Sequence, residues 1–88
     1  MKDQFTVRVT SEIAAGSYYN SIHDCPLARA LQNKFPDNYV VVGGKTADVG
    51  DKEYYISSNW TVETAKVLIN GGIDSIDVTL TLRRRIIK

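Results

Sequence analysis

A short segment with a proline near each end is the feature that most constrains the fold of this chain. Pro26 follows a capping residue, Asp24 or Cys25, and a proline in the first turn of a helix costs no hydrogen bond. Pro36 cannot continue a helix, so the segment predicts a helix from Pro26 to Phe35. Apolar residues recur in it at intervals of three or four and predict one buried face: Leu27, Ala30, Leu31 and Phe35.

Strand patterns lie on both sides of this helix. Residues 4–10 and 76–83 alternate between apolar and polar side chains, which predicts two half-buried strands that could be central neighbours. Residues 39–42 form a continuous apolar run, typical of a strand that is covered on both faces or nearly so. Residues 46–49 predict a short edge strand, and residues 52–57 predict a strand that returns beside it.

Two further helical segments complete the order. Thr10 or Ser11 caps a short helical turn before Gly16. Thr61 caps a second full helix, whose predicted buried face is Val62, Ala65, Leu68 and Ile69. We therefore expect a single α+β domain over residues 1–88, with a small, mostly antiparallel sheet of about four strands and two main helices packed on one face. Residues 83–88 form its basic C-terminal end.

Length and charge narrow the class of protein. Eighty-eight residues bury only a modest core, so a homodimer is one arrangement that would add to it. A formal net charge of +1 provides no broad attraction to DNA or to membranes. No apolar run reaches the roughly 18 residues that a membrane span needs, so we expect no membrane partner. A single cysteine cannot form an internal disulfide, which favours the cytoplasm.

Arginines and tyrosines are the candidate binding residues. The only concentration of charge includes Arg83, Arg84 and Arg85, and guanidinium groups bind phosphate or carboxylate. In a regular strand Arg83 and Arg85 share a face and Arg84 points away. The favoured alternative to binding is a charged edge strand or tail that resists aggregation. Two pairs of neighbouring tyrosines are the other candidates. In an extended segment the two rings of a pair point to opposite sides, so at least one ring of each pair is expected to be exposed. Exposed tyrosines beside arginines are typical of binding surfaces, and the four residues are Tyr18, Tyr19, Tyr54 and Tyr55.

We expect no catalytic residues, no metal site and no cofactor. Cys25 follows His23 by two residues at a helix start, where the helix dipole and an imidazolium lower a thiol pKa. No third group is evident to hold the histidine, so a buried structural cysteine is the favoured alternative. Residues 42–46 lack the first glycine of a phosphate loop and predict a hairpin turn instead. The histidine, cysteine and aspartates lack the spacings of metal ligands.

The first half of the chain resembles a type of small uncharacterised phage and prophage protein. The residues that carry the resemblance are Val9-Thr10, Ile13, Gly16 and Cys25-Pro26-Leu27-Ala28-x-Ala30-Leu31, with a valine strand and a tyrosine strand after them. The pattern in those proteins is Val-Thr…Gly…Cys-Pro-(Leu/Ile/Val)-Ala-x-Ala-Leu, and it covers roughly residues 7–56 here. The C-terminal residues 79–85 depart from it. The resemblance implies a phage-type origin, the cytoplasm of a bacterial host cell and a compact α+β fold, and it brings no assigned reaction or ligand.

Three hypotheses for function follow. The favoured one is a non-enzymatic accessory or anti-defence protein that binds a host or phage protein through an exposed apolar-aromatic patch or an open strand edge. The second is a module that binds a nucleotide or nucleic acid with its arginines and tyrosines, and whose binding weakens with salt. The third is a cysteine enzyme built on Cys25 and His23. The near-zero net charge and the missing third catalytic group favour the first.

Overall fold

The computed structural model describes residues 3–86, so Ile87 and Lys88 of the predicted basic end lie outside the described residues. The elements in chain order are β1 (Gln4–Thr10), α1 (Ser11–Ala14), α2 (Pro26–Lys34), β2 (Val40–Val42), β3 (Thr46–Val49), β4 (Lys52–Ile56), α3 (Val62–Ile69) and β5 (Ser75–Arg85). The predicted α+β class and the antiparallel character of the sheet are confirmed.

The sheet has five strands in the order β1-β5-β4-β3-β2, so the expectation of about four is wrong. Residues 46–49 form a full strand between β2 and β4, because each of its sides finds a hydrogen-bonded neighbour. They are therefore not the edge strand that the sequence predicts. The two alternating strands β1 and β5 are neighbours, as expected, but β1 lies at one edge of the sheet and β2 at the other.

Helix α2 lies at the centre of the fold. It contacts β1 and β2, the two opposite edges of the sheet, so the sheet curls around it. Helices α1 and α3 pack beside α2, and the helices lie on one face of the sheet. The expectation named two main helices, which are α2 and α3, and the short α1 is a third. Leu27 and Leu31 have no exposed surface, and the other buried residues of α2 are Pro26, Ala28 and Ala30.

The start of α2 shows why this helix forms where it does. Of the two capping candidates, Cys25 is the N-cap, and its Sγ accepts a hydrogen bond from the Ala28 N–H at 3.4 Å. Pro26 occupies the first turn, where its missing N–H leaves no bond unmade. At the other end, the Phe35 N–H donates to the Leu31 carbonyl before Pro36 stops the helix. None of the helices within residues 3–86 combines the length and the apolar character that crossing a membrane requires.

Candidate functional site

The C-terminal arginines are arranged by a β-bulge between β4 and β5. Glu53 lies opposite Arg84, while its neighbour Tyr54 lies opposite Leu82, so Arg83 is an extra residue in β5. A bulge sets two residues of one strand against one residue of the other. The Glu53 Oε1 atom accepts hydrogen bonds from Arg83 Nη1 at 2.7 Å and from Arg84 Nε at 2.9 Å. The prediction that Arg84 points away from Arg83 is therefore wrong, because regular alternation stops at the bulge.

Glu53 partly neutralises this arginine cluster. Its side chain is only 13% exposed, and this partial burial by itself raises its pKa. The hydrogen bonds and charges of Arg84 and Arg83 outweigh that effect and hold the pKa of Glu53 below its ordinary value. The guanidinium groups of Arg83 and Arg84 therefore donate hydrogen bonds to a carboxylate of the same chain, and these donors are not available to a ligand. Arg85 lies opposite Lys52 at the exposed end of β5.

The tyrosine pair of β4 divides between the core and the surface. Tyr55 is exposed on the outer face of the sheet, the face away from the helices, and the guanidinium of Arg83 lies 5.5 Å from its ring centroid. Tyr54 is 1% exposed, and its ring packs edge-on against Phe5 with centroids 5.1 Å apart. Tyr54 is therefore part of the core and not of the exposed surface of the sheet.

The other tyrosine pair lies on a different surface, so the candidate residues do not form one site. Tyr18 and Tyr19 are both exposed in the loop before α2. The Nζ atom of Lys66, on α3, lies 4.8 Å from the centroid of the Tyr19 ring. Arg83, Arg84 and Tyr55 lie together on the outer face of the sheet, whereas Tyr19 lines a cleft beside α3.

This cleft, called here the apolar cleft, has a volume of about 240 Å³. Three chain segments surround it: residues 19–22, residues 42–44 in the turn between β2 and β3, and residues 60–62 at the start of α3. Three large apolar side chains at the cleft are exposed, Tyr19 at 45%, Ile22 at 51% and Val62 at 51%. The half-buried ring of Trp60 also lines the cleft and packs against the core.

Sequence reasoning missed the apolar cleft for two reasons. It assigned Val62 to the buried face of α3, but Val62 is the first residue of that helix and lies beyond the part that reaches the core. Residues 17–22 are polar and aromatic with no clear period, which predicts only a loop or a loosely helical connection, so Ile22 carries no signal. Ile22 in a polar segment was the one available hint, since a large apolar residue there has no local partner.

The backbone beneath Ile22 is held in place by the edge of the sheet. The Val42 N–H donates to the Ile22 carbonyl at 2.8 Å. The Val40 carbonyl lies 3.3 Å from His23 Nδ1, and because a carbonyl can only accept, Nδ1 carries the proton. His23 Nε2 lies 3.2 Å from the hydroxyl oxygen of Tyr39, within hydrogen-bonding distance. This arrangement covers the β2 edge and leaves the Ile22 side chain facing outward.

Arg29 holds the base of the loop that carries Tyr18 and Tyr19. Its Nε donates to Asp24 Oδ1 at 2.7 Å, and its Nη1 donates to the Ala15 carbonyl at 2.8 Å. The hydrogen bond from Arg29 is the main reason that the pKa of Asp24 lies below its ordinary value. The Tyr18 N–H donates to the Asp24 carbonyl at 2.9 Å, so the loop returns to the start of α2.

Cys25 and His23 are not arranged as a nucleophile and its base. Cys25 is buried, and burial raises the pKa of its thiol, which opposes thiolate formation. Both ring nitrogens of His23 contact other groups, the Val40 carbonyl and the Tyr39 hydroxyl. The thiol acts as a helix cap in this geometry.

Within residues 3–86, no three or more histidine, cysteine, aspartate or glutamate side chains are grouped so as to hold a metal ion. Comparison of the chain with protein-family models, with curated proteins and with solved structures finds no significant match.

Proposed function

We propose that this chain is a small phage-type accessory or anti-defence protein that acts by binding a host or phage protein at the apolar cleft. The observation that carries the proposal is the cluster of Tyr19, Ile22 and Val62, three exposed apolar side chains around one open cleft. Single exposed apolar residues are ordinary, but a contiguous group of them marks a binding surface. The phage-type origin rests on the sequence resemblance of residues 7–56.

The size of the apolar cleft favours a protein partner over a small molecule. Sites for small molecules and cofactors have volumes of roughly 300–1,000 Å³. The apolar cleft, at about 240 Å³, is smaller and matches one large apolar side chain projecting from a partner surface. Tyrosine and tryptophan are enriched at the energetic centres of protein interfaces, and Tyr19 and Trp60 line this cleft.

Binding of a nucleotide or a nucleic acid is the second candidate, and Tyr55 is the observation that favours it. Its ring is exposed on the outer face of the sheet beside the guanidinium of Arg83, an arrangement suited to stacking a base. Two facts make it the weaker candidate. Glu53 binds Arg83 and Arg84, and neither arginine lines the apolar cleft. The cysteine-enzyme alternative has less support still, because the Cys25 thiol is buried.

The test is capture of a partner with matched variants of α3. Wild-type chain, Val62→Glu and Val67→Glu are each immobilised and exposed to lysates of infected and uninfected host cells. Both valines are exposed on the same helix, but only Val62 lines the apolar cleft. Glutamate in the first turn of a helix is favourable, so Val62→Glu is expected to fold, and circular dichroism checks this.

The expected result is a stoichiometric protein that wild-type chain and Val67→Glu retain and that Val62→Glu loses by at least about tenfold, as for an interface hot spot. Equal retention by all three chains would contradict binding at the cleft. A nucleotide released on denaturing the captured chain, and lost in Tyr55→Ala, would select the second candidate instead.

A further inference from the structure

The two edge strands of the sheet, β1 and β2, differ in whether their outward-facing backbone groups are covered by another part of the chain. At β2 the outward-facing groups include the Val42 N–H and the Val40 carbonyl, and the segment before α2 covers both. At β1 the outward-facing groups can be identified from the hydrogen bonds at its two ends. The Leu82 N–H donates to the Asp3 carbonyl, and the Ser11 N–H donates to the Asp74 carbonyl.

These two bonds determine which residues of β1 face β5. In an antiparallel pair, alternate residues exchange both hydrogen bonds with the neighbour and the others turn their backbone groups away. Residues 3, 5, 7, 9 and 11 therefore face β5, in agreement with the register of the pair. The N–H and C=O groups of Gln4, Thr6 and Arg8 point away from the sheet, and no hydrogen bond to them exists within residues 3–86. Thr10 serves instead as the N-cap of α1.

Nothing in β1 blocks this row of free groups. Edge strands are ordinarily protected by proline, by projecting charge, by a bulge or by a covering segment. The strand is seven residues long, has no proline, and pairs with β5 without a bulge. Its one charged side chain, Arg8, binds Asp77 on β5 at 3.1 Å and so leans over the sheet, away from the edge.

We propose that two copies of this chain pair antiparallel through β1, with Thr6 of one copy opposite Thr6 of the other. The free residues are symmetric about Thr6, so a two-fold axis at that point sets Gln4 of each copy opposite Arg8 of the other. This register alone pairs every free group of both copies, since a shift by one pair brings in the capping residue Thr10 or leaves Arg8 unpaired. The two five-stranded sheets then form one continuous sheet. The modest core of an 88-residue chain makes such an addition stabilising.

Sedimentation of the full chain over a range of concentrations, with two variants of Thr6, tests the pairing. Wild-type chain is expected to reach twice its mass of 9.8 kDa as concentration rises. Thr6→Pro removes the N–H at the centre of the pairing and leaves the β1–β5 backbone hydrogen bonds intact, and proline is tolerated at a solvent-facing edge position. The side-chain hydrogen bond between Thr6 and Thr79 on β5 is lost in both Thr6→Pro and Thr6→Ala, so it does not distinguish them. It is expected to stay monomeric, while Thr6→Ala, which keeps the N–H, dimerises like wild type. A wild-type mass of 9.8 kDa at every concentration up to about 1 mM overturns the proposal.

A cysteine cross-link tests the register and does not depend on the proline variant folding. Residues opposite each other in a hydrogen-bonded pair have Cα atoms about 5.5 Å apart, within the roughly 4.4–6.8 Å that a disulfide spans. Thr6→Cys is expected to form a disulfide dimer under mild oxidation. Thr81→Cys, also exposed on the outer face but one strand in from the edge, is expected to stay monomeric. Wild-type chain is the negative control, since its only cysteine, Cys25, is buried and is not expected to form a disulfide between copies. Equal cross-linking of the two variants, or none at Thr6→Cys, overturns the proposal.

Discussion

At the scale of single residues, Glu53 decides what the C-terminal arginines can do. Its side chain accepts hydrogen bonds from Arg83 and Arg84 and is itself mostly buried. A cluster that looks in the sequence like three free cations is in part an internal ion-pair network. Two of the arginines stabilise the β4–β5 pairing, and their contribution depends on the ionised state of one carboxylate.

Replacing Glu53 with glutamine is expected to lower the thermal unfolding midpoint at neutral pH. The folded pKa of Glu53 is lower than its ordinary value of 4.5, so the ionised form stabilises the fold. That contribution is complete above pH 4.5 and is lost as the pH falls through the folded pKa. Unfolding midpoints of wild type and Glu53→Gln, measured from pH 7 down to about pH 3, are therefore expected to converge in acid. A gap that stays constant, or an equal gap for the exposed control Asp37→Asn, would contradict this.

At the scale of elements, the turn between β3 and β4 shows why a particular glycine is needed. Gly50 has a φ of +61°, in the left-handed region, and its N–H donates to the Tyr39 carbonyl at 2.9 Å. A Cβ atom at this position would lie 2.5 Å from Asn38 Nδ2. A methyl group would therefore displace the side-chain amide of Asn38, and the positive φ is the firmer reason for glycine at this position.

Gly50→Ala is expected to reduce the free energy of unfolding by about 1–2 kcal/mol, the cost of a left-handed conformation for an L-residue. Gly44→Ala is the matched control, because it has no atom within 4 Å of its Cβ position and no positive φ. Its effect is expected to stay within about 0.5 kcal/mol. Urea unfolding curves of the two variants measure both values. Equal losses would show that conformation and contact at Gly50 are unimportant.

At the scale of the whole molecule, α2 joins the two edges of the sheet. The strands β1 and β2 are the outermost members of the sheet, and α2 contacts both. Since the sheet curls around this helix, loss of packing at α2 affects every layer of the core together. The chain is expected to unfold as one unit for this reason.

Leu31→Ala removes packing from the centre of that arrangement. Leu31 has no exposed surface, and such truncations cost about 2–5 kcal/mol. An 88-residue chain has a total stability of only about 4–13 kcal/mol, so the variant is expected to lose a large share of its stability and still to show a measurable unfolding transition. Asn33→Ala, at an exposed position of α2, is expected to change stability by less than about 0.5 kcal/mol. Urea unfolding followed by circular dichroism and by fluorescence of Trp60, the single tryptophan, gives both values; non-coincident transitions would contradict unfolding as one unit.

The sequence by itself determined where the helices and most of the strands lie, because the signals for them are local. Cys25 and Pro26 begin α2, and alternating apolar residues define β1 and β5, without reference to any distant residue. The candidate surfaces were only partly predictable for the same reason. Tyr19 and Tyr55 were identified as candidates, but nothing local separates an exposed tyrosine from the buried Tyr54.

Tertiary structure alone decided which strands are edges, which arginines face Glu53, and which apolar side chains surround the cleft. Each of these depends on residues far apart in the chain, and their relative placement follows from the curl of the sheet around α2. Ile22 and Val62 come to line one cleft because the loop before α2 and the start of α3 meet there. The helix between the two prolines, which can be read from the sequence, is what brings those distant segments together.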